Sequence, residues 1–247
     1  MEGPITKYPT VQPMGERSIL VEFEPEICEK CLEKVIFFKT LLEKNYPKEK
    51  VEVINTYSSL LIFYIVDIEN LYDEVLAVKA LVSRANITKK INCQLFHVPV
   101  CYDAIFGLDL EEISKVKMLS FQEIIALHTA PIYTVHFIGF LPGFLYLGGL
   151  DKNLHISRRK SPRLMVPKGA VGIGEKQTGI YPKSSPGGWQ IIGNSPLNFF
   201  DKNLDPPCEI LAGDKVKFYS ISRDEYERIL EEVRSGKFEL KGVKYEG

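Results

Sequence analysis

Between residues 132 and 221, glycine or proline interrupts the chain every few residues, and this spacing is the strongest constraint on the fold. The apolar runs between the interruptions are too short for typical helices, but they have the length and β-rich composition of strands. Six of them follow one another: IYTVHFIGF, RLMVP, AVGIG, QTGIYP, WQIIG and DKVKFYSI. Frequent turns between short strands are typical of a β-barrel or a β-sandwich, so we predict one of these folds here.

The N-terminal part of the chain has a different pattern, in which strands and helices alternate. RSILVEFE reads as a strand, and apolar residues recur at helical spacing after Pro25. Two strands (VEVINTY and SLLIFYIVD), a helix (IENLYDEVLAVKALVSRAN) and a strand (INCQLFHVPVCYD) come next. The order βαββαβ is that of a ferredoxin-like α+β domain. We therefore predict two domains, residues 1–90 and residues 91–247, the second ending in a charged helix (SRDEYERILEEVRSG).

Two short helices are predicted where the second pattern begins. The first is DLEEISKVK and the second is SFQEIIALHTA. In the second helix, Ser120 and Glu123 have the spacing of a capping box, in which each side chain accepts a hydrogen bond from the backbone N–H of the other residue.

Composition and charge exclude several classes of function. The 247 residues carry a formal net charge of −1, so no overall field attracts nucleic acid or an anionic membrane surface. The apolar segments are too short to span a bilayer, and the first residues lack the apolar core of a signal peptide. Five cysteines, an odd and sparse set, indicate a reducing compartment. We predict a cytoplasmic protein that binds neither nucleic acid nor membrane.

Two motifs look like known sites but lack essential parts. Cys28 and Cys31 have the spacing of a zinc or redox pair, but no second pair of ligands follows, so we predict a packing role and no metal site. The stretch from Gly169 to Thr178 approaches a phosphate-binding loop. Glu175 occupies the position of the essential lysine, and QTGIYP cannot begin a helix, so this interpretation is rejected.

The four histidines are far apart in sequence, and two of them are considered as functional residues. His128 ends a helix, where a partly buried structural role is the default. His136 lies in the predicted strand IYTVHFIGF and faces either the barrel interior or a cleft. No Gly-x-Ser-x-Gly motif supports a serine hydrolase.

Three segments are unusual enough to be candidates for a binding site. GFLPGFLYLGGL (residues 139–150) is either a buried crossing between strands or the wall of an aromatic pocket. SRRKSPR (157–163) places arginines beside rigid proline, which favours a fork for a carboxylate or phosphate over a solvated charged face. GIYPKSSPGGWQIIGNSP (179–196) combines glycine, proline and the only tryptophan.

These segments, with others in the same order, resemble a known family. GERSILVEF, YSSLLIFY, IGFLPGFLYLGGL, VPKGAVGIGEKQTGIYP, SSPGGWQIIGNSP and LAGDKVKFY are similar to the 5-oxoprolinase B-subunit family. That family is also described as allophanate hydrolase subunit 1, and it includes an inhibitor of the sporulation kinase A. The resemblance covers residues 15–220.

The resemblance implies a fold and several functions. Its fold is an N-terminal α/β domain followed by a cyclophilin-like β-barrel. The first implied function is cleavage of 5-oxoproline to glutamate with hydrolysis of ATP. The chain would act together with a second barrel subunit, the C-type subunit or allophanate hydrolase subunit 2, and with an A-type subunit. The alternatives are a protein-binding inhibitor of a histidine kinase, a subunit of an allophanate or urea amidohydrolase complex, and a structural scaffold for the second barrel.

The expected site combines the family's signature positions with the residues considered above. The catalytic candidates are His136, Gln177 and Tyr181, and Glu175 is a further candidate for the general base. The substrate-binding candidates are Phe140, Pro142, Phe144, Tyr146, Arg158, Arg163, Thr178, Ser185, Gly187, Gly188 and Trp189. ATP is expected to bind in the assembled complex and to activate the amide oxygen before water attacks.

The chain departs from the family pattern at three places. It has Asp103-Ala104-Ile105 where the family often has Gly-Gly-Glu, and Ser157 where the family often has proline. It also has Asn194 where the family often has an arginine. An arginine at that position could bind a carboxylate, so these departures bear on the substrate more than on the fold.

Overall fold

The computed structural model describes the chain in four stretches: residues 8–26, 28–47, 50–84 and 92–246. The chain divides into two compact units, residues 1–91 and residues 92–247. The domain boundary expected between residues 90 and 91 lies outside the described residues. None of the described helices is both long and apolar enough to cross a lipid bilayer.

The first unit is an antiparallel sheet covered by two helices. Its elements are β1 (Thr10–Pro13), β2 (Ser18–Glu22), α1 (Glu29–Asn45), β3 (Val51–Asn55), β4 (Ser59–Tyr64) and α2 (Leu71–Arg84). The strand order is β1-β2-β4-β3. Alternate residues of the strands, such as Ile19 and Val21 of β2, are fully buried against the apolar faces of the helices. This is the period of two expected for a half-buried sheet.

The ferredoxin-like arrangement predicted for this region is not confirmed. The strand that would complete it contains β5 (Cys93–Cys101), which pairs with strands of the second unit instead. The sheet position beside β2 is occupied by β1, which pairs antiparallel from Thr10↔Glu22 to Pro13↔Ile19. Because β1 contains a proline, its sequence does not read as a strand. An edge strand tolerates proline because the backbone N–H groups on its outer side need no partner in the sheet.

The second unit consists mainly of short strands. After β5 its elements are α3 (Leu110–Lys117), α4 (Phe121–Thr129), β6 (Tyr133–Ile138), β7 (Leu145–Gly148), a short 3-10 helix (Lys152–Leu154), β8 (Arg163–Val166), β9 (Ala170–Gly174), β10 (Gln177–Ile180), β11 (Ser185–Gly187), β12 (Gln190–Asn194), β13 (Lys215–Ile221), α5 (Arg223–Arg234) and β14 (Gly242–Tyr245). The capping box predicted at Ser120 is present at the start of α4.

Seven of these strands close into a barrel, which decides between the two β folds predicted from the sequence. The order is β12-β9-β10-β7-β6-β13-β5, and the pairing of Asn194 in β12 with Cys101 in β5 closes the ring. Only β5 and β13 run parallel among these seven pairings. β14 adds to β5, while β8 and β11 form a separate two-stranded sheet. Closure leaves the barrel strands with few unpaired backbone groups.

The barrel interior is filled by aliphatic and aromatic side chains. Val171 and Ile173 of β9, Ile180 of β10 and Leu147 of β7 are all completely buried there. The inward residues of β9 and β10 leave the alternate positions of the same strands facing outward, and those positions are mostly glycine.

Candidate functional site

Three adjacent strands, β7, β10 and β9, present a row of small and aromatic residues on the outside of the barrel. In their register Tyr146 lies opposite Gly179, and Gly179 lies opposite Gly172. In the neighbouring row, Leu147 and Ile173 belong to the barrel core. Successive residues of a strand point to opposite faces, so the row with the glycines is on the outer face.

Trp189 packs against this row of glycines, and its indole explains why they are glycines. A Cβ atom at Gly174 would lie 2.6 Å from Cε2 of Trp189, and one at Gly179 would lie 3.0 Å from Cζ3. At Gly172 a Cβ atom would lie 3.2 Å from Cβ of Trp189. Any larger residue at Gly174 would displace the indole, so the glycines of AVGIGEKQTGIYP are a steric requirement of Trp189 packing.

Phe144, Tyr146, Tyr181 and Trp189 form what we call the outer aromatic cluster. The ring centroids of Phe144 and Trp189 are 5.3 Å apart and those of Phe144 and Tyr181 are 5.0 Å apart, both edge to face. Tyr146 lies 5.7 Å from Trp189 and 4.8 Å from Phe144. Each such pair contributes about 0.5–1.5 kcal/mol beyond the burial of its area. The cluster is therefore a second, tightly packed aromatic core outside the barrel wall, with Phe144, Tyr181 and Trp189 all buried.

The loop GFLPGF borders this cluster and holds an unusual backbone conformation. Phe140 has a φ of 64° and its side chain is 62% exposed, with its ring edge-on to Phe144 at 5.7 Å. Gly143 has a φ of 84° and lies against Phe199 and Phe200, with no room for a Cβ atom. A bulky residue in the left-handed region persists only where its surroundings fix it, often at functional sites. The loop lies beside the cluster with Phe140 exposed and Phe144 buried, and the pocket-wall role of this segment stays a prediction.

Arg158 is exposed and lies over the indole of Trp189, which is itself buried. Its guanidinium carbon lies 5.7 Å from the centroid of the indole. The negative face of the indole attracts the cation, while the edge of the guanidinium remains suited to hydrogen bonds with a planar anion. Burial raises the pKa of Tyr146, and the charge of Arg158 acts in the opposite direction.

Tyr181 lies deeper in the cluster than its proposed catalytic role would require. Its side chain is 1% exposed, and its hydroxyl would be 2.4 Å from a Cβ atom at Gly187, which β11 places above it. Burial raises the pKa of Tyr181, and a backbone hydrogen bond from Trp189 acts in the opposite direction. Tyr181 is thus held as a neutral phenol that supports the segment SPGGW.

Gln177 is the predicted catalytic residue whose polar group is best placed beside the glycine row. It lies opposite Gly174 at the start of β10 and is half-buried. Its Oε1 atom is buried and, among the described residues, has no hydrogen-bond partner. A buried amide oxygen in this state is costly unless a ligand or water donates to it.

Three further substrate-binding candidates, Ser185, Gly188 and Pro142, either bond within the chain or face solvent. The hydroxyl of Ser185 donates to the carbonyl of Pro186 at 3.2 Å. The carbonyl of Gly188 accepts the backbone N–H of Arg159 at 2.7 Å. Pro142 is exposed in the GFLPGF loop.

Arg163, expected as a counter-charge for substrate, is paired with a carboxylate of the chain itself. Its two terminal nitrogens donate to the two oxygens of Asp109 at 2.8 and 2.7 Å. Asp109 is only 2% exposed, and a buried carboxylate requires such compensation. Between the two arginines named as counter-charges, the geometry favours Arg158.

Thr178 faces the barrel interior, so its predicted contact with substrate has no support in the geometry. Its hydroxyl donates to the carbonyl of Gly172 at 3.0 Å and therefore accepts from Nε2 of His128 at 2.9 Å. Nδ1 of His128 then accepts from the hydroxyl of Tyr102 at 2.7 Å. Burial lowers the pKa of His128 to about 3. The neutral histidine has the structural role predicted for it.

The two candidates for a general base are held in different ways. His136 is 4% exposed, in a bulge of β6, and its Nε2 atom would be 2.4 Å from a Cβ atom at Gly148. Glu175 is exposed in the turn between β9 and β10, with a φ of 58° and backbone bonds to Ile156. Neither geometry assigns the role to one of them.

The cysteine pair lies at the start of α1. Cys28 is the N-cap, and its Sγ atom lies 2.8 Å from Sγ of Cys31, which is 4% exposed. The predicted packing role of Cys31 agrees with this burial, whereas Cys28 precedes the helix. A carboxylate oxygen of Glu26 and the two thiols lie within 4.8 Å of one another, which is the spacing of three metal ligands.

Sequence analysis missed Asp109, the most highly bonded side chain near the cluster. It stands in FGLDLEEI, where an aspartate before a helix predicts an ordinary N-cap. The structure shows no side-chain cap there, because both carboxylate oxygens bond to distant residues instead. No local pattern could have indicated these long-range partners.

The comparison with protein families gives one match over most of the chain. The model described as "Carboxyltransferase domain, subdomain C and D" matches residues 9–210. A curated relative, the 5-oxoprolinase B-subunit of Bacillus subtilis, is 37% identical over 234 residues, which are 90% of this chain and 97% of that protein.

Two of the solved structures with the same fold belong to longer chains. The structure of TTHA0988 has a TM-score of 0.72 and 30% identity, and covers 83% of this chain and 40% of that chain. The urea amidolyase of K. lactis has a TM-score of 0.80 over 95% of this chain and 16% of its own. At 21% identity the second likeness shows the fold alone. The chain thus spans less than half of each of these solved proteins.

Proposed function

The chain belongs to the 5-oxoprolinase B-subunit family, and from this premise we propose that it is one subunit of an ATP-dependent 5-oxoprolinase. The reaction converts 5-oxoproline, ATP and water into glutamate, ADP and phosphate. The observation that carries the proposal is that the exposed ring of Phe140 and the exposed cation of Arg158 both lie against the outer aromatic cluster, because an apolar wall beside a cation suits a small anionic ligand.

The chemistry of the cluster fits a small lactam that carries a carboxylate. The five-membered ring of 5-oxoproline is nearly flat and suits an aromatic wall such as Tyr146 or Phe140. Its carboxylate suits the edge of the Arg158 guanidinium. Its lactam N–H suits the buried Oε1 atom of Gln177, which lacks a donor among the described residues.

ATP is proposed to bind outside the glycine-rich segment of residues 169–178. That segment forms the β9–β10 hairpin with Glu175 in its turn, and not a loop that opens into a helix. An exposed carboxylate at the turn repels phosphate groups. No step of the reaction is therefore assigned to ATP on this segment, and we infer that the nucleotide site is contributed by a partner protein.

We infer that the active form is a cytoplasmic complex with a second barrel subunit of the C type and with an A-type subunit. Two findings support a partner: the B. subtilis relative is named as a subunit, and this chain covers only 40% of TTHA0988. We also infer that the barrel is of the cyclophilin-like kind, as the family resemblance implies.

The proposal is tested by 5-oxoproline-dependent ATP hydrolysis in this chain alone, in each partner alone and in the mixture. We expect activity in the mixture only. Arg158→Gln in the mixture is expected to raise KM for 5-oxoproline at least tenfold, whereas Lys160→Gln, a matched change of an exposed cation two residues away, leaves KM within twofold. Correctly folded partners that show no activity in any mixture would contradict the proposal.

A second candidate function is supported by a different observation. Leu164 and Met165 of β8 are 91% and 71% exposed, and adjacent exposed apolar residues are a feature of protein-binding surfaces. A protein-binding inhibitor of a histidine kinase would use such a surface without a catalytic site. Inhibition of kinase autophosphorylation by the wild-type chain, lost in Leu164→Ser/Met165→Ser and retained in Arg158→Gln, would favour this function. An amidohydrolase subunit that acts on allophanate or urea derivatives is the remaining alternative, distinguished by its substrate in the same ATPase assay.

A further inference from the structure

One buried carboxylate, that of Asp109, accepts hydrogen bonds from three residues in two segments of the chain. Oδ1 accepts from Nη1 of Arg159 at 2.8 Å and from Nη2 of Arg163 at 2.7 Å. Oδ2 accepts from Nη1 of Arg163 at 2.8 Å and from the backbone N–H of Ile191 at 2.6 Å. All of these are charge-assisted bonds to a side chain that is 2% exposed.

These partners lie on both sides of Trp189. Arg163 stands opposite Gly187 in the pairing of β8 with β11. The backbone N–H of Arg159 donates to the carbonyl of Gly188 at 2.7 Å, and Ile191 follows Trp189 by two residues. The carboxylate therefore fixes the segment before the tryptophan through two arginines and the segment after it directly.

The same carboxylate also decides which arginine is available to a ligand. Arg163 is held by both oxygens of Asp109, and Arg159 is held by one of them. Nη1 of Arg159 also lies 3.9 Å from a carboxylate oxygen of Glu112. Arg158, the neighbour of Arg159 in the chain, is exposed and stacks on Trp189. Three arginines lie within six residues, and the two that pair with Asp109 share its single negative charge, so their terminal nitrogens are engaged within the chain.

We propose that Asp109 is a positioning residue for the outer aromatic cluster: it holds the Trp189 segment and engages Arg159 and Arg163, so that Arg158 meets the carboxylate of the substrate. The assignment of the substrate rests on the proposed function, whereas the holding of Trp189 does not. Asp109 touches no reacting group and acts through Trp189 and Arg158.

The test compares Asp109→Asn with Asp214→Asn. Asp214 is a matched control because it is a carboxylate of the same unit, 7% exposed, that accepts the backbone N–H groups of Gln94 and Leu211. Trp189 is the only tryptophan of the chain, so its fluorescence reports on the cluster directly. Acrylamide quenching, titration with 5-oxoproline, and KM and kcat in the assembled complex are measured for each variant, with thermal unfolding as the measure of folding.

We expect Asp109→Asn to increase the quenching of Trp189 at least twofold and to raise KM at least tenfold, with kcat within threefold of wild type. Asp214→Asn is expected to leave quenching and KM within about 1.5-fold at a comparable loss of thermal stability. Asp109→Glu restores the charge, although its longer side chain fits less well, and is expected to recover at least half of the loss in KM on a logarithmic scale. Arg163→Lys, which keeps the charge but removes the fork, is expected to change both quantities in the same direction and serves if Asp109→Asn does not fold.

Two results would overturn the inference. The first is wild-type quenching and KM in a folded Asp109→Asn or Arg163→Lys variant. The second is an equal change in both quantities for Asp109→Asn and Asp214→Asn, which would show a merely structural role. If the wild-type assembled complex fails to respond to 5-oxoproline, the proposed function fails, but increased quenching in Asp109→Asn and not in Asp214→Asn would still support the holding of Trp189 by Asp109.

Discussion

The two faces of the β9–β10 hairpin are packed by opposite means. On the inner face, Val171, Ile173 and Ile180 fill the barrel with aliphatic side chains. On the outer face, Gly172, Gly174 and Gly179 leave space that Trp189 occupies from another part of the chain. The hairpin thus packs with its own side chains on the inner face, whereas on the outer face its glycines are covered by a side chain from another part of the chain.

This difference separates stability from recognition within a single pair of strands. The inner face is buried in a closed barrel, where changes in volume affect mainly the free energy of unfolding. The outer face positions a tryptophan, an exposed arginine and a half-buried glutamine, so changes there affect the shape of the proposed site. A variant on one face should therefore change one property and spare the other.

The largest effect is expected from removing volume on the inner face. Leu147→Ala deletes a fully buried side chain of β7 from the barrel core and should lower the free energy of unfolding by about 2–5 kcal/mol. The emission maximum of Trp189 should remain that of the wild type, because Leu147 is not part of the outer cluster. Urea unfolding followed by circular dichroism gives the first quantity, and fluorescence of the native state gives the second. A large shift in emission would show that the two faces are coupled.

The next effect comes from adding one methyl group on the outer face. In Gly179→Ala the new Cβ atom would lie 2.6 Å from the carbonyl oxygen of Leu145 and 3.0 Å from Trp189. We expect a loss of about 1–3 kcal/mol, as for other overpacked sites, together with a red shift of Trp189 emission. Gly188→Ala is the control, because its Cβ atom would be 3.6 Å from the nearest atom, and should cost less than about 0.5 kcal/mol. Equal losses in the two variants would contradict the packing argument.

The sequence allowed a barrel or sandwich, the helices α3 and α4 with the capping box at Ser120, and the two signature segments to be predicted, because these depend on local spacing. It did not distinguish the two faces of β10. Gln177 and Thr178 are adjacent and equally polar, yet one lies on the outer face and the other bonds to His128 in the interior. Which residues point inward depends on the register of β10 with β7 and β9, and register is set by pairing across the whole sheet.

The arginines show a second limit of sequence analysis. Arg158, Arg159 and Arg163 have similar local sequences, but only the fold brings Asp109, about fifty residues earlier, to two of them. The first unit shows the same limit, since β1 joins its sheet through pairing with β2 and not through its own composition. Long-range pairing is what local patterns do not contain.

A third prediction concerns the loss of stability at low pH, which tests the inner face through the buried His128. The folded pKa of about 3 is below the ordinary value of 6.5, so protonation opposes folding. The contribution of neutral His128 to the free energy of unfolding is complete above pH 6.5 and is lost as the pH falls toward 3. At pH 5 the loss is about 2 kcal/mol. Wild type should lose this much unfolding free energy between pH 7 and pH 5, whereas His128→Gln should lose much less. Parallel pH profiles would exclude His128 as the cause.

The smallest effect on stability, and the sharpest contrast with Leu147→Ala, is expected from Arg158→Gln. The guanidinium is exposed above Trp189, so the lost cation–π contact should cost about 0.5–1 kcal/mol in urea unfolding.

Arg163→Gln is the matched control, because it leaves the buried carboxylate of Asp109 without its fork and should cost about 3 kcal/mol or more. Equal costs would show that Asp109 does not distinguish the two arginines. If the difference is found, we expect Arg158→Gln to keep the fold and to raise KM for 5-oxoproline, while Leu147→Ala weakens the fold and keeps the cluster. The two variants together would show that the barrel wall separates what holds the protein together from what recognises a ligand.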